Sequence, residues 1–261
     1  MSFAPEQTQK PQQPPPPSRP AAQRTRIKIC GLTREQDVDA AVAAGADAIG
    51  FVLYPKSPRY VAPERAAALA RRLPPFVTPV LLVVNESASF VIAACALVPG
   101  AIVQFHGDES AEECWAASGH GSRPYLRAAR IPIGAQAAPF DLVEYAQQYS
   151  RAQAILLDAQ VEGYGGGGKA FNWSLLPPNV NAHLVLSGGL TPANVTDGIA
   201  QVRPRCLSLA VDVSSSVEQD GPDGRPLKGV KSAEKIHRFV AAVRAADAQL
   251  ASKSHVQLPT T

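Results

Sequence analysis

Arg26-Ile27-Lys28-Ile29-Cys30-Gly31 reads as a strand that delivers a thiol to a glycine turn. Side chains alternate along a strand, so Ile27 and Ile29 share one face while Lys28 and Cys30 share the other. In a barrel wrapped by helices the isoleucines would face the helices, and the lysine and thiol would face the interior. The same grammar continues down the chain. Strand-like runs follow at Ala46 to Val52, Thr78 to Val84, Ala101 to Phe105, Tyr125 to Ala129, Ala154 to Asp158, His183 to Ser187 and Cys206 to Val213. Helical patterns lie between and after them at Arg34 to Ala44, Pro63 to Leu73, Ala88 to Leu97, Ser110 to Ala117, Asp141 to Tyr149, Trp173 to Leu176, Pro192 to Val202 and Ala233 to Ala246. Thr33 reads as a cap, and Pro63 and Pro192 as first-turn prolines. Eight strand-helix units predict an α/β fold, a closed (β/α)₈ TIM barrel in a single domain, with an open doubly wound sheet as the alternative.

The barrel is expected over residues 25–247, a length that suits one large core. Residues 1–24 are rich in Pro and Gln, include Pro14-Pro15-Pro16-Pro17, and read as a disordered tail; a proline-rich docking segment is the functional alternative. Residues 248–261 read as a flexible C-terminal tail. A net charge of +3 without a basic stripe argues against nucleic acid as a partner. No apolar run is long enough to span a membrane, and no signal pattern opens the chain. The four cysteines form no C-x-x-C pair, which disfavours zinc and fits reduced thiols. The expectation is a soluble cytoplasmic protein, with its oligomeric state open.

Alternation along the other strands sorts the remaining polar groups. Leu207, Leu209, Val211 and Val213 share one parity and should meet helices, which turns Asp212 inward; Gln104 and His106 pair on the fourth strand. Polar groups therefore gather at the C-terminal strand ends, where barrel enzymes place their chemistry. A lone cysteine is ordinarily a small buried hydrophobe, yet Cys30 stands at the barrel mouth and needs only a modest pKa shift to supply thiolate. Asp158 closes the run Ile155-Leu156-Leu157: either a loop or capping carboxylate, or a general acid with a pKa raised by burial.

Gly163-Tyr164-Gly165-Gly166-Gly167-Gly168-Lys169 nearly matches a nucleotide phosphate loop, but Ala170 replaces the hydroxyl that would hold magnesium. A mobile lid is the better reading, with a plain flexible linker beside it. Ser187-Gly188-Gly189-Leu190-Thr191-Pro192 and Ser214-Ser215-Ser216 follow the last two strands, where barrels usually hold phosphate, although ordinary turns use such residues too.

Taken in order, Lys28 to Gly31, Ser57-Pro58-Arg59-Tyr60-Val61, Gln104 to Gly107, Leu156 to Asp158, Gly165 to Gly168 with Phe171-Asn172-Trp173, Ser187 to Leu190 with Asn194-Val195, and Val211 to Ser215 resemble the phosphoribosylanthranilate isomerases of tryptophan biosynthesis. The resemblance runs from about Arg26 to Val243. It implies an Amadori rearrangement of N-(5-phosphoribosyl)anthranilate, a small sugar-phosphate substrate, to 1-(2-carboxyphenylamino)-1-deoxyribulose 5-phosphate, with no cofactor and no metal. It further implies Asp158 as the acid and Cys30 as the base. Arg59 would hold the anthranilate carboxylate, His106 would be a further substrate contact, and Asp212 would support the cationic nitrogen. Gly188, Gly189, Ser214, Ser215 and Ser216 would take the phosphate. Ser216 stands where the family usually has glycine, and a side chain there would narrow the approach to phosphate. Asn172 and Ser232 replace aspartates in positions that can cap helices, and Gln219 to Gly224 reads as a lengthened turn. Indole-glycerol-phosphate synthase, ribulose-phosphate epimerase and a catalytically silent phosphate-binding scaffold are the competing readings; the first wants a late lysine acid and the second a metal-bound histidine pair.

Overall fold

In a computed structural model, residues 24–133, 140–159 and 171–256 are described. Both the Pro/Gln-rich stretch and the Gly163 to Lys169 loop fall outside them. Eight parallel strands close into a barrel in sequence order: β1 (Arg26–Cys30), β2 (Ala48–Val52), β3 (Thr78–Val83), β4 (Ile102–Phe105), β5 (Tyr125–Ile131), β6 (Ala154–Ala159), β7 (His183–Leu186) and β8 (Ser208–Val213). Helices α1 (Glu35–Ala43), α2 (Pro63–Ala70), α3 (Ala88–Leu97), α4 (Ala111–Ala117), α5 (Leu142–Gln148), α6 (Val195–Val202) and α7 (Ala233–Val256) surround it. The expected helix at Trp173 is a 3-10 turn, Trp173–Leu175, capped by Asn172.

Side-chain parity follows the alternation except at Leu207, which precedes β8 and is exposed. Ile27, Ile29, Leu209, Val211 and Val213 are buried between strands and helices, and fully burying one such side chain contributes about 1.5–3 kcal/mol. A smaller apolar plug of Val80, Leu126, Ala128, Ala154, Leu156 and Val185 fills part of the interior. Lys28, Gln104 and Asp212 are buried on strands of the same barrel, and register places Lys28 beside Asp212 and Cys30 beside Gly50.

Four local expectations change. The cap of α1 is Arg34, without a side-chain bond, because the Thr33 hydroxyl donates instead to Gly229 O at 2.7 Å. Pro192 is not a first-turn proline: the chain makes turns until α6 opens at Val195, and Asn194 spends its amide on Thr191 N and Gly189 O. The last helix continues to Val256, so residues 248–256 are helical rather than a tail; Ser232 caps its start by accepting from Lys235 N. The segment after β8 is more than a long turn. It forms an antiparallel hairpin of β9 (Glu218–Asp220) and β10 (Pro226–Lys231).

Candidate active site

A cavity of about 380 Å³ opens where the strands end. Cys30, Asp158 and Asp212 reach it from β1, β6 and β8, and Arg59 and His106 from the segments after β2 and β4. Gly188 and Gly189 line it after β7, and Ser214 to Ser216 after β8. Every residue expected at the site therefore borders one space. A second cavity, about 870 Å³, is lined by residues at the starts of the strands, such as Thr78, Ala154 and Ser208. Barrel chemistry sits at the opposite face, and this end ordinarily serves stability.

Cys30 is 4% exposed. Gly50 makes room for it: a Cβ there would lie 2.7 Å from Cys30 Sγ and 3.1 Å from Lys28 Cε. Lys28 Nζ donates to Asp212 Oδ1 at 2.8 Å, and Ser187 Oγ donates to Oδ2 at 3.2 Å. Burial opposes the Lys28 charge, but the Asp212 carboxylate and the Cys30 sulfur together outweigh it and hold the lysine above its ordinary pKa. Burial also pushes the Cys30 thiol up, against the downward pull of the Lys28 ammonium. The sequence expectation of ready thiolate is thus only half met. The cationic neighbour is present, yet the dry pocket keeps the proton on sulfur more firmly than water would.

Asp158 faces His106 across the barrel. His106 Nε2 lies 3.1 Å from Asp158 Oδ2, and Gln104 Nε2 lies 2.9 Å from His106 Nδ1. His106 thereby links the Gln104 amide to the Asp158 carboxyl group. Asp158 Oδ1 accepts from Ala159 N at 3.0 Å. Gly188 must be glycine beside it, with φ of 73° and a would-be Cβ only 2.8 Å from Asp158 Oδ1. Arg127, buried on β5, donates to the carbonyls of Phe105 and Gly107 on either side of His106, and pairs with Glu109 Oε2 at 3.1 Å.

The turns after β7 and β8 present backbone. Ser214 Oγ donates to Cys30 O at 3.0 Å, and the Ser216 hydroxyl donates to Leu190 O. Both hydroxyls thus tie turns together, and Ser216 joins the turn after β8 to the one after β7. Among the described residues, the N–H groups of Gly189, Ser215 and Ser216 find no acceptor, which suits an anion.

Arg59 departs from the simple clamp. Its Nε and Nη2 donate to Glu218 Oε1 and Oε2 at 2.7 and 2.9 Å, so the side-on fork is occupied within the protein. Nη1 has no partner among the described residues, which leaves the end-on edge for a ligand.

Residues 27–242 match the family model of N-(5'-phosphoribosyl)anthranilate (PRA) isomerase. The chain belongs to that family. Among its relatives, the N-(5'-phosphoribosyl)anthranilate isomerase of Methylibium petroleiphilum is 60% identical over 229 residues, covering 88% of this chain and 98% of that one. The crystal structure of phosphoribosyl anthranilate isomerase from Thermotoga maritima superposes with a TM-score of 0.71 at 38% identity, covering 85% of this chain and 99% of that one. A phosphoribosyl anthranilate isomerase crystallised with reduced 1-(o-carboxyphenylamino)-1-deoxyribulose 5-phosphate does so with a TM-score of 0.68 at 36% identity and the same coverage.

An isomerase of this family thus carries, in this chain, three polar groups around the site that motif reading passes over: Arg127, Glu218 and Lys231. Ser187, quoted only as the start of a turn, shares the inward parity of Val185 on β7 and bonds Asp212. The other three depend on a partner far away in sequence. Glu218 and Lys231 flank the stretch that reads as a turn, Gln219 to Gly224, and nothing local marks a charge that will be buried.

Proposed function

We propose that the protein isomerises N-(5-phosphoribosyl)anthranilate to 1-(2-carboxyphenylamino)-1-deoxyribulose 5-phosphate in tryptophan biosynthesis, with Asp158 as general acid and Cys30 as general base. The observation that carries the reading is the meeting of this thiol and this carboxylate, from β1 and β6, in one cavity with Arg59 and the turns after β7 and β8. The Asp158 carboxyl proton goes to the ribose ring oxygen. The bond from that oxygen to C1 breaks, and the anilino nitrogen lone pair forms the C1–N double bond of a protonated Schiff base. That cation acidifies C2–H. Cys30 thiolate takes the C2 proton, the C–H electron pair becomes the C1–C2 double bond, and the nitrogen regains its lone pair. The enolamine then loses its O2 proton and gains one at C1, giving the ketone with no net change in composition.

Acid and base attached to separate strands can act on one bound molecule without moving, and such positioned groups contribute about 10²–10⁴-fold each. Asp212, neutralised by Lys28, lies beside Cys30 where the nitrogen cation forms. Gly188, Gly189, Ser214, Ser215 and Ser216 hold the phosphate through backbone N–H groups, and His106 fixes the rotamer of Asp158. The decisive experiment follows the fluorescence of the anthranilate adduct. It decays with wild type and persists with Asp158→Asn; unchanged fluorescence with the wild type would remove the assignment.

A further inference from the structure

The hairpin after β8 buries more charge than a loop needs. Glu218 is fully buried and Lys231 is 3% exposed, and two ions taken out of water are costly unless their bonds are complete. Here they are dense. Glu218 Oε1 accepts from Arg59 Nε at 2.7 Å, from Gly229 N at 2.8 Å and from Lys231 Nζ at 3.3 Å, while Oε2 accepts from Arg59 Nη2 at 2.9 Å. Lys231 Nζ also donates to Ser214 O at 2.8 Å and Ser214 Oγ at 3.3 Å. Two cations around one carboxylate leave one positive charge in surplus, at the edge of a site that is to receive an anion.

The hairpin is fastened on its other side as well. Thr33 Oγ1 donates to Gly229 O at 2.7 Å, and Asp37 Oδ2 accepts from Lys231 N at 3.0 Å. Gly229, at φ of 82°, lets the strand approach Pro58 O, which a Cβ would meet at 3.1 Å. Gly31 allows the Arg59 stem to cross the end of β1: a Cβ there would lie 2.5 Å from Arg59 Cδ and 3.2 Å from Ser214 Oγ. One continuous set of contacts therefore runs from Arg59 through Glu218 and Lys231 to Ser214.

We propose that this hairpin is a spacer for the substrate: Glu218 is a positioning residue that presents the end-on edge of Arg59 to the substrate's carboxylate, and Lys231 sets that edge at a fixed distance from the Ser214 phosphate turn. The proposal rests on the function stated above, in which Arg59 meets the anthranilate carboxylate. The ligand class it selects carries an aromatic carboxylate at one end and a phosphate at the other. Occupation of the side-on fork by Glu218 removes the rotational freedom of a long side chain before the ligand arrives, which is how preorganisation adds selectivity.

The test compares kcat/KM for N-(5-phosphoribosyl)anthranilate and for the carboxylate-free N-(5-phosphoribosyl)aniline. Glu218→Gln keeps the shape of the side chain but loosens Arg59. It is expected to lower the ratio of the two kcat/KM values by about tenfold to a hundredfold, through KM for the anthranilate compound, because a displacement on the order of 1 Å has effects of this size. The aniline compound should change little. Lys231→Met, which releases the phosphate turn, should raise KM for both compounds together. An equal loss on both compounds in Glu218→Gln, or no loss on either, would overturn the spacer. Arg59→Met separates the two ideas: if it collapses the ratio and Glu218→Gln does not, only the spacer fails, and if it leaves the ratio intact, the carboxylate role of Arg59 fails. Should Glu218→Gln not fold, Gly229→Ala displaces the hairpin without changing charge and is read in the same ratio, with the same two outcomes.

Discussion

Cys30 carries a proton that its surroundings hold by two opposed effects. Burial raises the thiol pKa and Lys28 lowers it. A general base must be deprotonated, so kcat/KM is expected to climb with pH as the thiol ionises. Replacing Lys28 by Met removes the cation and leaves the Asp212 anion beside sulfur; both changes favour the neutral thiol, so the rising limb should move to higher pH. A limb that stays in place in the pH profile of Lys28→Met would dissociate the lysine from the base. Gly50→Ala tests the same atom by space. Its Cβ, 2.7 Å from Sγ, must displace the thiol, so kcat is expected to fall about a hundredfold while the product analogue binds as before, measured by single turnover and titration. The alternation of Arg26 to Cys30 was enough to place the thiol and lysine on one face. It was silent on Gly50, because the clash depends on which residue of β2 lies in register.

At the scale of elements, the strands were legible because each is a short apolar run bounded by turn residues, and their limits shifted by two residues at most. Helix starts were less legible. Pro192 and Thr33 carry the right residue types for a first turn and a cap, yet Asn194 and Gly229 offer competing bonds that only the folded chain creates. The β9–β10 hairpin was hidden for the same reason. Arg127 shows what such hidden polar groups do for an element. It holds the carbonyls flanking His106 and is stacked near the Tyr149 ring at 4.9 Å. Arg127→Leu removes those bonds and leaves the buried Glu109 without its cation, held only by Asn85 N and Gly107 N, a loss on the order of 3–5 kcal/mol. Urea unfolding should show the midpoint falling with little change in slope, and kcat should fall as His106 loses its fixed position. A variant as stable as the parent would mean that the loop after β4 is held by its own turn.

At the scale of the whole molecule, a closed barrel must join its first strand to its last; Lys28 and Asp212 do so beside the cavity, and a second set of polar contacts fastens the start of β1 at the opposite end. Thr25, one residue before β1, donates from its backbone N and its hydroxyl to Asp247 Oδ2 and Oδ1 at 2.9 and 2.6 Å. Arg203, just after α6, donates to the same carboxylate, and Arg244 of α7 donates to Thr25 O at 2.8 Å. Asp247 thereby locks the last helix onto the start of the first strand. Asp247→Ala leaves the fully buried Thr25 and the guanidinium of Arg203 short of an acceptor, which costs about 1–3 kcal/mol. In a domain of this size each kcal/mol is worth about 2–4 °C, so calorimetry is expected to record a Tm lowered by roughly 2–12 °C. The site is bounded by other ends of the same strands, and none of its residues touches Asp247. Below the transition, kcat/KM should therefore remain within about twofold of the parent. A drop in activity matching the drop in stability at 25 °C would mean that the seam and the catalytic face are coupled through the barrel, and that the division between a stabilising end and a reacting end fails in this chain.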